Sequence, residues 1–181
     1  MDKIKRRRFI FLDIDGVLNH DKWYKYLHDN LHILHPSNLS FGKVNLCPYS
    51  VKLLNKLKGC EVIISSSWTL KTAKVSLMDA GLELPIIGCT EHKSLCDKAQ
   101  CRGNDIARWF IDNIYKEPPL PIFKNDDGWY HFNNQIFQYV IFDDWNDMLM
   151  QQFENFIHVN SKKGLEQKHI DKAKKILMLC D

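Results

Sequence analysis

Short apolar runs alternate along the chain with segments in which apolar residues recur at helical spacing. Phe9–Leu12, Val62–Ile64, Pro85–Ile87, Tyr139–Phe142 and Phe156–Val159 are continuous and short, which predicts buried strands. Between them, the spacing predicts a helix over Tyr49–Leu57, with Val51, Leu53, Leu54 and Leu57 on its apolar side. A second spans Leu70–Ala80 and is stopped by Gly81. A third, Asn104–Ile114, carries Ile106, Ala107, Phe110 and Ile114 on one face, and a lysine-rich amphipathic helix, Gln167–Leu179, closes the chain. Strands alternating with helices require crossover connections. The expected fold is therefore α/β, a three-layer α/β/α sandwich around a mostly parallel, Rossmann-like sheet. Two segments break the alternation and read as insertions in a single domain: His20–Leu46, with Trp23, Tyr24 and Tyr26, and Tyr115–Gln138, with Pro118, Pro119, Pro121 and Asp126-Asp127-Gly128.

Composition narrows the class. A chain of 181 residues with 45% hydrophobic and 26% charged residues suits one soluble domain spanning residues 1–181. No apolar run approaches a membrane span. The basic start before FIFL has a faint signal-peptide character, but Asp13 and Asp15 interrupt the apolar part, so a cytoplasmic protein with reduced cysteines is expected. The net charge of +3 chooses no partner, yet the basic residues cluster. Lys3, Lys5, Arg6, Arg7 and Arg8 crowd the start, and Lys162, Lys163, Lys168, Lys172, Lys174 and Lys175 the end. They are read as solvated termini and a solvated helix face, or alternatively as an attraction for phosphate-rich ligands. Cys89, His92, Cys96 and Cys101 lie close together but not at the spacing of paired zinc ligands, so small hydrophobes are expected there rather than a metal site.

The chemistry gathers at strand ends. In a parallel sheet, sites form at the C-terminal edge. Asp13 and Asp15 follow the first strand. Ser65, Ser66, Ser67 and Trp68 follow the second. Asp143 and Asp144, with Asp147 a turn further on, follow Tyr139–Phe142. Two charges about 4 Å apart repel by roughly 4 kcal/mol near a protein surface. A hard divalent cation would offset that repulsion, and an all-oxygen donor set suits Mg2+, which commonly works beside a phosphate.

Asp13-Ile14-Asp15-Gly16-Val17-Leu18-Asn19 resembles the first motif of the haloacid dehalogenase (HAD) superfamily of phosphotransferases. Ile63-Ile64-Ser65-Ser66-Ser67-Trp68 resembles the second, and Val140-Ile141-Phe142-Asp143-Asp144 the fourth, acidic one. Ser66-Ser67-Trp68, Arg102-Gly103, Asp143-Asp144 and Gly164-Leu165 bring the chain nearest to the small HAD domains of RNA-repair proteins, from about Arg8 to Leu179. The resemblance implies a HAD-like fold with a small or minimal cap and a Mg2+-dependent phosphatase. By it, Asp13 is the nucleophile that forms an aspartyl-phosphate and Asp15 the general acid and base. Ser66, or Ser65 one residue earlier, would bond the phosphoryl oxygens, with Ser67 and Trp68 beside the substrate. Arg102, or Lys98, would supply the cation that stabilises charge on phosphorus. Where most of the superfamily has Lys, an Arg is a departure, though its planar fork also grips phosphate. Mg2+ would be held by Asp13, the main-chain carbonyl of Asp15, and one or both of Asp143 and Asp144.

A short insertion after the first motif leaves the site open enough for a phosphorylated nucleic acid end, and Trp23, Tyr24, Tyr26 and Trp68 could stack bases. Packing of those rings onto the domain is the plainer expectation. The expected activity is a phosphomonoesterase of nucleotides or nucleic acid ends. The alternatives are a phosphatase of another small phosphate ester and a non-catalytic module that binds phosphate ends. No Gly-rich phosphate loop of the Lys-Ser/Thr type occurs in the chain, so a kinase step is not expected of it.

Overall fold

The computed structural model describes residues 6–30, 45–90, 101–115, 124–132 and 135–179. They build one six-stranded sheet from β1 (Arg6–Leu12), β2 (Glu61–Ile64), β3 (Ile86–Cys89), β4 (Tyr130–Phe132), β5 (Gln135–Asp143) and β6 (Phe156–His158). The order is β3-β2-β1-β5-β4, with β6 also pairing with β5. Every pairing is parallel except that of β4, which runs antiparallel to the first residues of β5. The helices are α1 (Asp21–Asn30), α2 (Pro48–Leu54), α3 (Leu70–Asp79), α4 (Arg102–Phe110), which continues as a π-helical turn to Tyr115, and α5 (Gln167–Ile176). This is the mostly parallel α/β sheet expected from the alternation. No helix among the described residues is long and apolar enough to cross a membrane.

The period-two alternation of the strands sorts the core onto two faces. Ile10, Leu12, Val62, Ile64, Val140 and Phe142 point to one, where Val51 and Leu54 of α2, Ala73 and Leu77 of α3, and Ile170 and Ala173 of α5 cover them. Phe9, Phe11, Ile63, Tyr139 and Ile141 point to the other, against Ile106, Trp109 and Phe110 of α4. This second face is aromatic: Phe11 meets Trp109 and Phe110 at ring separations of 5.3 and 5.2 Å. Local chemistry sets the helix ends. Thr69 caps α3 by accepting from the Thr72 N–H, and Gly81 follows it at φ +92°. Pro48 opens α2, where its missing N–H costs nothing.

Several expectations shift. Arg6–Arg8 are strand rather than a solvated terminus, because each guanidinium finds a partner. Arg7 forks onto Glu61 at 2.8 and 3.2 Å, and Arg8 donates to the Leu177 and Met178 carbonyls at the end of α5. Arg6 and Arg8 both lie over the Trp129 ring, 5.0 Å from its centroid. The expected loop Tyr115–Gln138 contains β4 and the start of β5. Gln138 is buried there because its amide donates to the Gly128 carbonyl. The first insertion contains α1, which buries only Leu27 and therefore has no apolar stripe by which its sequence could announce it. His92 and Cys96 lie outside the described residues, while Cys89 and Cys101 are half-buried.

Candidate active site

Strand register brings the acidic residues level. Leu12 sits opposite Ile64 on one side and Phe142 on the other. The ladder runs one residue further: Asp13 N–H donates to the Phe142 carbonyl at 3.0 Å, and Ser65 N–H to the Leu12 carbonyl at 2.8 Å. Asp13, Ser65 and Asp143 thus share a row, and by alternation they share the face of Phe9, Phe11 and Ile63, which α4 covers. That is the face from which Arg102 arrives, at the first turn of α4.

Asp13, Asp143 and Asp144 each offer a carboxylate oxygen within 4.8 Å of the others. Asp13 and Asp143 are buried, and Asp144 half-buried. Burial pushes the Asp13 carboxyl up to about 7, with Arg102 opposing and Asp143 adding to the rise. Burial likewise raises Asp143 to about 6, again against Arg102, and also raises Asp144. Arg102 forks among them. Its Nε lies 3.1 Å from Asp143 Oδ2 and one terminal nitrogen 3.7 Å from Asp13 Oδ1, while the other donates to the Ser65 carbonyl at 2.6 Å. The Asp143 contact is an ion pair without hydrogen-bond alignment, and that buried Oδ2 has no hydrogen-bond partner. An unsatisfied buried carboxylate oxygen beside two others fits a hard cation, with oxygen donors that suit Mg2+.

The remaining expected residues divide by place. Asp15 stands outside the three-carboxylate group. Its exposed carboxylate accepts from Asn19 at 2.7 Å and from the Trp68 indole at 3.0 Å. Gly16, at φ +76°, makes the turn between them, and a Cβ there would fall on the Asp144 carboxylate, so the backbone passes too close for any side chain. The two serines part company as well. Ser65 Oγ accepts from Thr90 Oγ1 at 3.4 Å, whereas the Ser66 hydroxyl is buried facing the Asp13 carboxylate, whose rise it opposes. Ser67 is exposed, and Lys98 lies outside the described residues.

Further residues support this arrangement. Asp147, a turn beyond the Asp143-Asp144 pair, caps α4. Its carboxylate accepts from the Arg102 N–H at 2.9 Å, and its carbonyl from the Gly103 N–H at 3.2 Å. Gln152 ties the same junction by donating to the Gly103 carbonyl and accepting from the Leu149 N–H. Asn19 closes the Asp15 loop through the Gly16 N–H. Tyr24 of α1 stands beside it: burial and the Asp15 charge push its phenol up, against a bond with Asn19. Asn19 was within the quoted first motif, but nothing in its spacing marked it as the partner of Asp15.

Gly103 carries a prediction. A Cβ there would meet Leu149 N at 2.5 Å and Gln152 Oε1 at 2.6 Å. Gly103→Ala is expected to cost about 1–3 kcal/mol, read as a lower midpoint of thermal unfolding. Because the strain falls one residue from Arg102, its activity should drop even below the melting range; a variant with wild-type stability would mean the junction yields freely.

Neither the curated proteins nor the solved structures give a significant match to this chain. The family described as the HAD domain in Swiss Army Knife RNA repair proteins matches residues 9–170, a span that takes in every expected site residue from Asp13 to Asp144. Its members are HAD-type, a hydrolase class of phosphatase kind, and its span runs from within β1 through the other five strands to the beginning of α5. The chain belongs to the family of HAD domains found in RNA repair proteins.

Proposed function

We propose that the protein is a Mg2+-dependent phosphomonoesterase acting on nucleotides or phosphorylated nucleic acid ends through an aspartyl-phosphate, as a single HAD-like domain. The observation that carries the reading is the convergence of Asp13, Asp143, Asp144 and Arg102, with the Ser66 hydroxyl facing the Asp13 carboxylate. Asp13 is the nucleophile. Its Oδ attacks phosphorus as the bond to the leaving oxygen breaks, and Asp15 gives that oxygen its proton. In the second step Asp15 takes a proton from water as the water oxygen attacks phosphorus, releasing inorganic phosphate and restoring the Asp13 carboxylate. Asn19 and Trp68 aim the Asp15 carboxylate for both transfers.

Ser66 donates to a phosphoryl oxygen, because its buried hydroxyl faces the Asp13 carboxylate that attacks phosphorus. Arg102 faces the equatorial charge. Mg2+ would be held by Asp13, Asp143, Asp144 and the Asp15 carbonyl, and would neutralise negative charge on the phosphoryl group. A cytoplasmic location, where the cysteines stay reduced, is part of the reading.

The test is phosphate release with Mg2+ from mononucleotides, 5′- and 3′-phosphorylated oligonucleotides and a generic aryl phosphate. Turnover is expected to vanish in excess chelator and return with Mg2+. Full activity in chelator would remove the metal, and no release from any substrate would favour a module that only binds phosphate ends.

A further inference from the structure

A groove of about 840 Å³ lies beside the loop that carries Asp15, walled by α1, the start of α2 and the loop entering α5. Its volume is near the top of the range of about 300–1,000 Å³ typical of ligand sites. The walls are fastened together. Asp21 and Lys22 donate backbone N–H groups to the Ser161 and Lys162 carbonyls, and Leu165 N–H donates to the Val17 carbonyl at 2.9 Å. At the base, His20 Nδ1 accepts from the Trp23 N–H and caps α1. Gly164, at φ +68°, passes so close to the His20 ring that a Cβ would overlap it.

Two kinds of side chain face this space. Lys22, Lys163 and Lys168 supply positive charge against the single carboxylate of Glu166, which Lys168 engages at 2.6 Å. Among the described residues no carboxylate lies within ion-pair distance of Lys22 or Lys163. The rings of Trp23 and Tyr26 stack at 5.5 Å and 16°, and Tyr26 and Tyr49 are 51% and 61% exposed. An acidic polypeptide would satisfy the lysines and leave the ring faces with nothing planar to meet. A single nucleic acid strand satisfies both, with phosphates for the amines and bases for the rings.

We infer that this groove binds a single-stranded polynucleotide, with its phosphates on Lys22 and Lys163 and its bases on Trp23, Tyr26 and Tyr49. His20 in the groove wall directly follows the Asn19 that holds Asp15, which puts the groove beside the carboxylate site. The inference builds on the reading of that site as one for phosphorylated ends, but its test needs no turnover.

The experiment measures binding of a fluorescent single-stranded oligouridylate to the full chain across a salt series. It compares wild type, a Lys22→Glu/Lys163→Glu double variant and a Tyr26→Ala/Tyr49→Ala double variant, with folding checked by circular dichroism. The lysine variant is expected to bind about tenfold or more weaker near 0.1 M salt, with its log–log salt slope reduced by about 1.4. The tyrosine variant should lose about fivefold or more with its salt slope unchanged. Turnover of an aryl phosphate should be the same in all three. Its absence from the wild type would undo the phosphatase reading and leave the groove standing on the binding data. Wild type that does not bind the probe, or lysine variants that bind as wild type does, would overturn the groove. So would polyglutamate displacing the probe as well as unlabelled oligouridylate does, together with an unaffected tyrosine variant, since the surface would then read charge alone.

Discussion

Asp13→Asn is expected to lose about 10⁴-fold or more in turnover while folding normally, and in the metal-free protein to be more stable than the wild type at neutral pH. The first half follows from the proposed mechanism, in which an amide in place of the Asp13 carboxylate cannot form the acyl phosphate. The second follows from burial. In the folded chain the Asp13 carboxyl is pushed up to about 7 from an ordinary 3.8, chiefly by removal from water, with Asp143 adding to the rise and Arg102 only partly compensating. A carboxyl raised on folding binds its proton more tightly in the native state, so stability falls as pH rises from about 4 towards 7 and stays low above that. The full effect of such a shift is of the order of 4 kcal/mol at most. The Asn variant escapes it. Its stability advantage should be absent near pH 4, grow through the window between the two pKa values and level off above about 7. Mg2+ should narrow the gap at high pH, because it binds the ionised carboxylates that burial disfavours. Thermal melts of both proteins with and without Mg2+ across that range check all of this. Multiple turnover by the variant would remove Asp13 as nucleophile, and a gap that does not change with pH would mean the carboxyl is not raised.

Arg102→Ala should be the second most damaging change, because one guanidinium serves three partners. Its loss leaves Asp13 and Asp143 buried beside each other without the nearest positive charge. Removing one partner from a buried ion pair typically costs about 3–5 kcal/mol. Both carboxyls are already raised, so they would take up protons and part of that cost would be relieved at low pH. The destabilisation should therefore be larger at pH 8 than at pH 5. Activity should fall about 10²–10³-fold, the scale for losing one preorganised electrostatic contact to the transferring group. Arg102→Lys keeps the charge but has a single amine for three acceptors, so it should recover stability more fully than turnover. Lys matching Arg in turnover would show that the fork geometry is unimportant. An alanine variant of unchanged activity would remove Arg102 from the mechanism and turn attention to Lys98.

These predictions rest on parts of the molecule that differ in how visible they were beforehand. The strands β1, β2 and β5 announced themselves as apolar runs because both of their faces are buried. The carboxylates announced themselves because a charged residue at the end of such a run has few structural reasons to be there. Helix α1 gave no such signal, since it buries Leu27 alone and its Trp23 and Tyr26 line the groove. β4 and the first residues of β5 were hidden by polar residues. There Gln138 is buried only because the Gly128 carbonyl lies across from it.

By itself, the chain determined the alternation of strands and helices, the residues at the strand ends, and with them the family and the kind of chemistry. Those features are encoded locally, in runs of apolar residues and in what immediately follows them. Tertiary structure decided the pairing of β1 with β5, which sets Asp13 beside Asp143 although 130 positions separate them. It decided that the buried Ser66 hydroxyl faces the Asp13 carboxylate, that Asp15 answers to Asn19 and Trp68, and that Asp147 and Gln152 hold the turn from which Arg102 reaches the carboxylates. It also set three basic residues of the first strand to structural work. Each of these depends on which groups long-range packing brings within about 3 Å, and no spacing along a single chain carries that information.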